Sequence, residues 1–458
     1  MFPKAQFPPN DQPQGPAMPQ HFTPTPHCPQ EKLPVAYDLV SETSLPGELP
    51  ADKSLPGSPS HAPGQSLPFP PFRTADYLKP RQLELTLSVS IRPSSRVAQV
   101  AGMFDLNPAE HTTRHIRVTF GPVPPDWRIG LIVGPSGSGK STLAKALFGP
   151  WLYRGHSWPD DLPIIEALGP APLKQVARLL TAVGLSSPPT WLRPYRLLST
   201  GEKFRCDLAR ALLEATTPAD RSSAGQPAQS HLLPPPNDEL PLVVFDEFTS
   251  VVDRTVAQAV AAALARAIRR GLLPCRFVAV TCHYDVLPWL GPDWMLDMAT
   301  GSFHQPKTDR PPITLELFRA KASAWTLFSP HHYLSGKLSP AAQCFLAAWQ
   351  GRPVCFCAVL PQAGRPGWRR ISRLVTLPEY QGLGIGSAVL GTLADWLLQH
   401  RLRTSITTSH PAMIAFLRRS PHWRITRVAT VGKNFRRRSS LPSGRRVVSA
   451  EYWPLTTS

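Results

Sequence analysis

The chain has 458 residues, 42% of them hydrophobic, seven cysteines and a formal charge of +18. No apolar run approaches the roughly 18 residues of a membrane span, and "MFPKAQFPPN" lacks an apolar signal-peptide core. The cysteines are scattered without a paired CxxC spacing, which argues against a disulfide framework or a zinc site and for a reduced, cytoplasmic setting. The charge is uneven. Residues 321–458 hold 19 Lys and Arg against 3 Asp and Glu, whereas the remainder is almost neutral. That asymmetry points to a polyanionic partner such as nucleic acid, a solvated basic surface being the plainer alternative.

Residues 1–80 contain 19 of the 55 prolines. Such a stretch cannot bury enough apolar surface to order itself, so a disordered Pro-rich arm is expected. "LELTLSVSI" (84–92), "IRVTF" (116–120) and "IGLIVG" (129–134) read as strands, and "KSTLAKALFG" (140–149) as a helix. Residues 216–239 read as a Pro/Ser-rich insertion. "LPLVVFDEF" (240–248) is a buried strand, "TVAQAVAAALARAIRRG" (255–271) a helix ending at glycine, and "RFVAVTCH" (276–283) another buried strand. Strands alternating with helices imply a mainly parallel sheet.

After residue 310 the pattern restarts. "AAQCFLAAWQGRPVCFCAVLP" (341–361) reads as helix or strand, turn, strand, and "RRISRLVTL" (369–377) as a strand. "SAVLGTLADWLLQH" (387–400) reads as a helix, "TSITTS" (404–409) as a strand and "PAMIAFLRRS" (411–420) as a helix. Expected units are therefore an arm at 1–80, one α/β domain at 81–310 and a second, α+β domain at 311–458.

Within the first domain "GPSGSGKST" fits G-x-x-x-x-G-K-[ST]: Gly134, Pro135, Ser136, Gly137, Ser138, Gly139, Lys140, Ser141 and Thr142. Backbone N–H groups of such a loop converge on phosphate, Lys140 would reach the β/γ-phosphates, and Ser141 would ligate Mg²⁺. Asp246 ends an apolar strand, where it can hold the Mg²⁺ shell, and Glu247 can orient or deprotonate attacking water. "LLSTGEKFRCDLARALL" (197–213) lies between. "LSTGE" resembles the LSGGQ signature of ABC-type ATPases, departing at Thr200 and Glu202. It also reads as a Ser- or Thr-capped helix start, and both readings can hold.

The resemblance implies a homodimer that sandwiches two ATPs, with Ser199 and Gly201 of one subunit capping the γ-phosphate held by the other. It carries a D-loop role onto Asp253 of "SVVD" (250–253) and a γ-phosphate-sensing role onto His283. It covers about residues 81–305. The separation of 59 residues from Lys140 to Ser199 is shorter than in ABC transporters, and no Q-loop glutamine stands in "SWPDDLPIIEAL" (157–168), where Asp160 or Asp161 would substitute. A soluble, non-transporter member is therefore expected.

The second glycine loop lies in "ISRLVTLPEYQGLGIGSAVLGTLADWLL". This stretch resembles motif A of GNAT acyltransferases, and the glycines are spaced G-x-G-x-G, unlike a dinucleotide fingerprint. The resemblance, over about residues 315–455, implies acetyl-CoA or another acyl-CoA as cofactor. Gln381, Gly382, Gly384, Gly386 and Ser387 would wrap its pyrophosphate at a helix N-terminus. The strand end from Val375 to Leu377 would offer main-chain N–H groups to the thioester carbonyl.

The tyrosine that GNAT enzymes often use as general acid is missing from "PAMIAFLRRSPHW". His332 or Tyr333 of "SPHHYLSGKLS" (329–339), which resembles a stretch of phage Mom-type DNA-modifying relatives of GNAT proteins, could act as acid/base; an aromatic staple is the alternative. "GKNFRRRSSLPSGRR" (432–446), with Phe435, Trp423 and Trp453 nearby, suits phosphate contact and base stacking, or is a solvated charge run. The expected function is an ABC-type ATPase coupled to an acyltransferase acting on nucleic acid. The alternative is a non-catalytic GNAT-like domain that senses CoA or binds nucleic acid.

Overall fold

The structure is a computed structural model. It describes residues 33–37, 81–88, 94–107, 113–216, 240–307, 309–333, 337–431 and 445–454. The fold is mixed α/β. Strands β2 (Arg81–Ser88) and β3 (Thr113–Phe120) form an antiparallel pair. Between them lies α1 (Ser95–Phe104), capped by Ser94, whose Oγ accepts from the Val97 N–H at 3.3 Å.

The central sheet of the N-terminal unit has the order β5-β6-β7-β4-β8-β9. Strands β4 (Ile129–Val133), β5 (Leu152–Tyr153), β6 (Leu242–Phe245), β7 (Arg276–Thr281) and β8 (Trp294–Asp297) are parallel, and only β9 (Ser302–His304) runs antiparallel. Every residue of β4 and β7 is buried, as a parallel sheet covered on both faces requires. The covering helices are α2 (Lys140–Phe148), α3 (Leu173–Ala182), α4 (Thr200–Thr216) and α5 (Arg254–Arg269). Alanines let α5 lie close: Ala257, Ala259, Ala261 and Ala265 are all fully buried.

The second sheet is mainly antiparallel, in the order β1-β10-β11-β12-β13-β14-β16-β15. Its first strand, β1 (Leu33–Tyr37), pairs with β10 (Ile313–Ala320). Part of the expected disordered arm is thus a strand: "LPVAY" pairs antiparallel with β10 and covers its otherwise open edge. The rest of residues 1–80 lies outside the described residues. The ambiguous 341–361 stretch is a hairpin of β11 (Gln343–Trp349) and β12 (Arg352–Pro361), turned by Gln350 and Gly351 at φ 50° and 75°. Two successive positive φ values match the right-handed strand twist.

Strands β13 (Trp368–Thr376) and β14 (Arg403–Thr408) flank α6 (Ile385–Gln399). Helix α7 (Pro411–Arg419) leads to β15 (Trp423–Val431) and β16 (Arg445–Tyr452). One hydrophobic cluster runs through both units. It joins Ile129, Leu131, Val183, Leu185 and Val260 to Leu383, Ile385 and Leu393. Trp289 of the first unit also meets Trp349 of the second edge-on, with ring centroids 5.7 Å apart.

Candidate functional sites

Strands β4, β6 and β7 are neighbours and parallel, so the loops that follow them emerge at one sheet edge, where α/β folds bind ligands. The loop after β4 passes Pro135 and Ser136 and enters α2 through Gly139, at φ 92°. A Cβ on Gly139 would lie 2.3 Å from Ile116 Cδ1, so both conformation and space require glycine. Lys140 is nearly buried, and its Nζ donates to the Pro135 carbonyl at 2.8 Å, curled back into the loop. The Ser138 hydroxyl is buried without a hydrogen-bond partner. An orphaned hydroxyl beside a lysine and a helix N-terminus fits a phosphate group. Ser141 and Thr142 begin α2, with Ser141 exposed.

Asp246 and Glu247 follow β6. Glu247 adopts φ 52°, its N–H donates to Asp246 Oδ1 at 2.9 Å, and its side chain is exposed. The fully buried Phe248, whose N–H donates to the Val280 carbonyl at 2.8 Å, fixes this turn. His283 follows β7, with its N–H on Thr281 Oγ1 at 3.2 Å. Among the described residues no cluster of three His, Cys, Asp or Glu could hold a metal by itself. Ser141 and one carboxylate, Asp246, fit an ion such as Mg²⁺, which takes most of its remaining ligands from phosphate and water.

The "LSTGE" segment forms a reciprocal capping box. The Glu202 N–H donates to Ser199 Oγ at 3.3 Å, and Glu202 Oε2 accepts from the Ser199 N–H at 2.9 Å. Ser199 stays exposed at the start of α4, and Gly201 packs within van der Waals reach of Val256. Asp253 caps α5, its Oδ1 accepting from the Val256 N–H at 3.0 Å.

Just before Asp160 and Asp161, expected to substitute for a Q-loop glutamine, the chain lines a cavity. Residues 153–158 line an open cavity of about 450 Å³ with Tyr195, Asp207, Phe245 and Asp246. Trp158 and Tyr195 stack at 4.8 Å and both donate to the Asp207 carboxylate, at 2.7 and 2.9 Å. Burial pushes Asp207 above the usual carboxylate range, against the pull of those two hydrogen bonds. Asp160 and Asp161 are exposed and do not line the cavity.

In the second unit β13 and β14 pair only from Trp368 to Ile371 against Arg403 to Ile406. Beyond that they part, leaving the ends of the two strands as banks of a cleft. Val375 is buried near one bank, and the Leu377 N–H is already taken by the Val354 carbonyl at 3.0 Å. Leu377 is therefore not a free donor for a thioester carbonyl, contrary to the role expected for it; that N–H completes the pairing of β13 with β12.

Gly382 and Gly384 adopt φ 88° and 86°, and Gly384 caps α6. Among the described residues the N–H groups of Gly382, Gly384 and Gly386 meet no protein acceptor. Ser387 Oγ donates to the Gly384 carbonyl at 2.8 Å. Unpaired N–H groups at a helix N-terminus fit a diphosphate. Gln381 is committed elsewhere. Its Nε2 donates to the Thr376 carbonyl at 3.1 Å, and its Oε1 accepts from the N–H and hydroxyl of Ser186 at 2.9 and 2.8 Å.

His332 and Tyr333 come to the opposite bank. Tyr333 packs beside His332 at 5.2 Å and His410 at 6.2 Å, and Ser409 lies 3.4 Å from its hydroxyl. His410, unmarked in sequence except as the residue before a helix-starting proline, contacts the Ser186 carbonyl through Nε2 at 2.6 Å. Because a carbonyl only accepts, Nε2 carries the donated proton, and burial lowers the His410 pKa below its ordinary value against the pull of that bond.

Of the aromatic residues near the basic C-terminus, Trp423 is buried against Tyr452, so it is not available for base stacking. Phe435 and most of 432–446 lie outside the described residues. A different basic and aromatic set is visible. Arg365 and Arg403 lie over Trp368 at 3.6 and 5.6 Å, and Arg403 and Arg424 lie over Trp453 at 5.1 and 5.0 Å.

Residues 312–420 match the model of the acetyltransferase (GNAT) family. No curated protein matches the chain. Among solved structures, the chain is similar to an IAA acetyltransferase from Bacillus cereus, at 15% identity and TM-score 0.24, over 30% of this chain and 98% of that one. It is similar to the ribosomal-protein-S18-alanine N-acetyltransferase of Escherichia coli at 14% identity and TM-score 0.25, over 30% and 92%. A dimeric ATP-binding cassette bound to ADP and Pi matches at 15% identity and TM-score 0.29, over 43% and 93%. No helix among the described residues is long and apolar enough to cross a membrane. The chain thus carries a match to the GNAT acetyltransferase family at residues 312–420, preceded by a mainly parallel α/β unit whose phosphate-loop motif, LSTGE helix start and strand-end acids stand in an order that resembles ABC-type ATPases.

Proposed function

We propose that this protein binds and hydrolyses ATP as an ABC-type homodimer and couples it to transfer of an acyl group from acyl-CoA onto nucleic acid. The observation that carries the acyltransfer reading is the second glycine loop. Its glycine N–H groups have no protein acceptor among the described residues, and it stands at the head of α6, beside the cleft between β13 and β14.

In this reading the loop from Gln381 to Ser387 binds the diphosphate of acetyl-CoA or another acyl-CoA. Tyr333 or His332 would take the proton of the acceptor amine as its nitrogen bonds to the acyl carbon, or return a proton to the CoA sulfur as the C–S bond breaks and CoA leaves as the thiol. In the first unit Gly134 to Thr142 holds the nucleotide phosphates, and Ser141 and Asp246 hold Mg²⁺. Glu247 activates water, His283 senses the γ-phosphate, and Ser199, Gly201 and Asp253 serve the partner's nucleotide. The ladder of Arg365, Trp368, Arg403, Trp453 and Arg424 supplies charge and π-faces for a single strand. Thiol release from acetyl-CoA, measured with and without DNA or RNA, tests the transfer; no release with any polyanion excludes it. Glu247→Gln is expected to trap an ATP-dependent dimer visible by size, and a monomer with ATP would exclude the sandwich.

One observation favours a second reading, in which the C-terminal domain binds CoA or nucleic acid without turnover. The glycine loop and His410 are both engaged by Ser186 of the first unit, so the cleft is bridged. Acetyl-CoA binding without thiol release on any acceptor supports this second reading.

A further inference from the structure

The glycine loop of the C-terminal domain touches the ABC-type domain through its carbonyls. Arg266, on α5, donates from Nη1 to the Leu383 carbonyl at 2.7 Å. Arg205, on α4, donates from Nη2 to the Glu379 carbonyl at 3.2 Å. Gly184 presses on the Gln381 carbonyl: a Cβ there would lie 2.7 Å away. A Cβ on Gly382 would meet Ala263 at 2.6 Å, and one on Gly384 would meet the Arg266 guanidinium at 2.1 Å. The face of the loop that carries carbonyls is thus fully packed, with Leu383 only 1% exposed. The glycine N–H groups are the part left without protein partners.

This division has a chemical consequence. A loop whose N–H groups converge must turn its carbonyls the other way, and those carbonyls need donors or water. Arg266 meets that need at Leu383, and Arg205 does so at Glu379 just before the loop, so that positive charge lies behind the proposed anion site. Arg205 is almost completely buried, at 1% exposure, among the carboxylates of Glu379, Glu202 and Asp253, and burial lowers its pKa to about 10, which leaves it charged near neutrality. The nearby carboxylates and the Glu379 carbonyl offset part of the cost of burying this charge, while Arg205 Nε has no hydrogen-bond partner among the described residues.

We propose that Arg266 and Arg205 of the ABC-type domain are positioning residues for the acyl-CoA site, holding the Gln381–Ser387 loop in its diphosphate-binding shape, so that neither domain forms the site alone. This rests on the acyl-CoA reading above. Each arginine lies on a helix whose N-terminus carries a nucleotide-facing motif by resemblance, Ser199 to Gly201 for α4 and Asp253 for α5. The acyl-CoA loop is therefore mechanically continuous with the elements that would move on ATP binding.

The test uses the full chain and its Arg266→Ala and Arg266→Lys variants, titrated calorimetrically with acetyl-CoA and with S-acetylpantetheine, which lacks the diphosphate. The Kd for acetyl-CoA is expected to rise about tenfold in Arg266→Ala, the loss of one charge-assisted hydrogen bond. Arg266→Lys, which keeps a charged donor, recovers part of that loss. Binding of S-acetylpantetheine and of ATP stays within twofold of the unsubstituted chain. An unchanged acetyl-CoA Kd, or an equal loss for both thioesters, overturns the positioning role. Failure of the unsubstituted chain to bind acetyl-CoA overturns the acyl-CoA reading itself.

Discussion

Gly384 sits at φ 86° with the Arg266 guanidinium where a side chain would stand. Gly384→Ala must therefore both strain the backbone and displace an interdomain arginine. A loss of about 1–3 kcal/mol in a denaturant melt is expected, together with loss of acetyl-CoA binding. His410 makes a pH prediction. Its folded pKa lies below the ordinary 6.5, chiefly by burial, so the unfolded chain binds the proton first as pH falls. Stability then declines below about pH 6.5 and levels off once the folded ring also protonates. His331, likewise lowered by burial, adds to the same slope. Thermal unfolding between pH 7.5 and 5 should show a shallower slope in His410→Gln; an unchanged slope would remove His410 as a titrating group. Sequence could mark Gly384 because its spacing announces the loop. His410 is a lone histidine before a proline, and only the approach of Ser186 gives it meaning.

At the scale of elements, α4 depends on its start. Ser199 and Glu202 cap each other, and the Glu202 carboxylate also accepts from Thr190 at 3.2 Å. Ser199→Ala is expected to cost about 1 kcal/mol, read by chemical denaturation. It also removes the hydroxyl that would meet a partner's γ-phosphate, so ATP-dependent dimerisation should weaken beyond that stability cost. Most strands and helices follow from periodicity, since buried runs such as "RFVAVT" leave no other placement. Helix α1 does not. Its apolar residues bury nothing, so no tertiary stripe organises the pattern, and the Ser94 cap is its main local signal. Strand β1 is equally silent, because proline-rich surroundings suggest no partner until the β10 edge supplies one.

In the whole molecule a single hydrophobic cluster runs from β4 to α6, and Trp289, Trp349 and Tyr380 form an aromatic chain across the two units. The proposed nucleotide and acyl-CoA sites are built on this one core, so their affinities are expected to be coupled. Saturating ATP on the Glu247→Gln chain is expected to change the acetyl-CoA Kd several-fold. By linkage, acetyl-CoA must change the ATP Kd by the same factor. Equal Kd values with and without the second ligand would show that the shared core does not transmit the signal.

The two glycine loops, the acids after β6, the signature helix start and the basic C-terminal third were determined by the sequence alone. Each is a local pattern whose chemistry depends on residues close together in the chain. The junction was decided only by tertiary structure. Arg266, Ser186 and His410 belong to no motif, and Arg205 lies just past the LSTGE box without a role of its own in it. They meet because parallel strands deliver their helices to the same side and a common core brings the second domain against them.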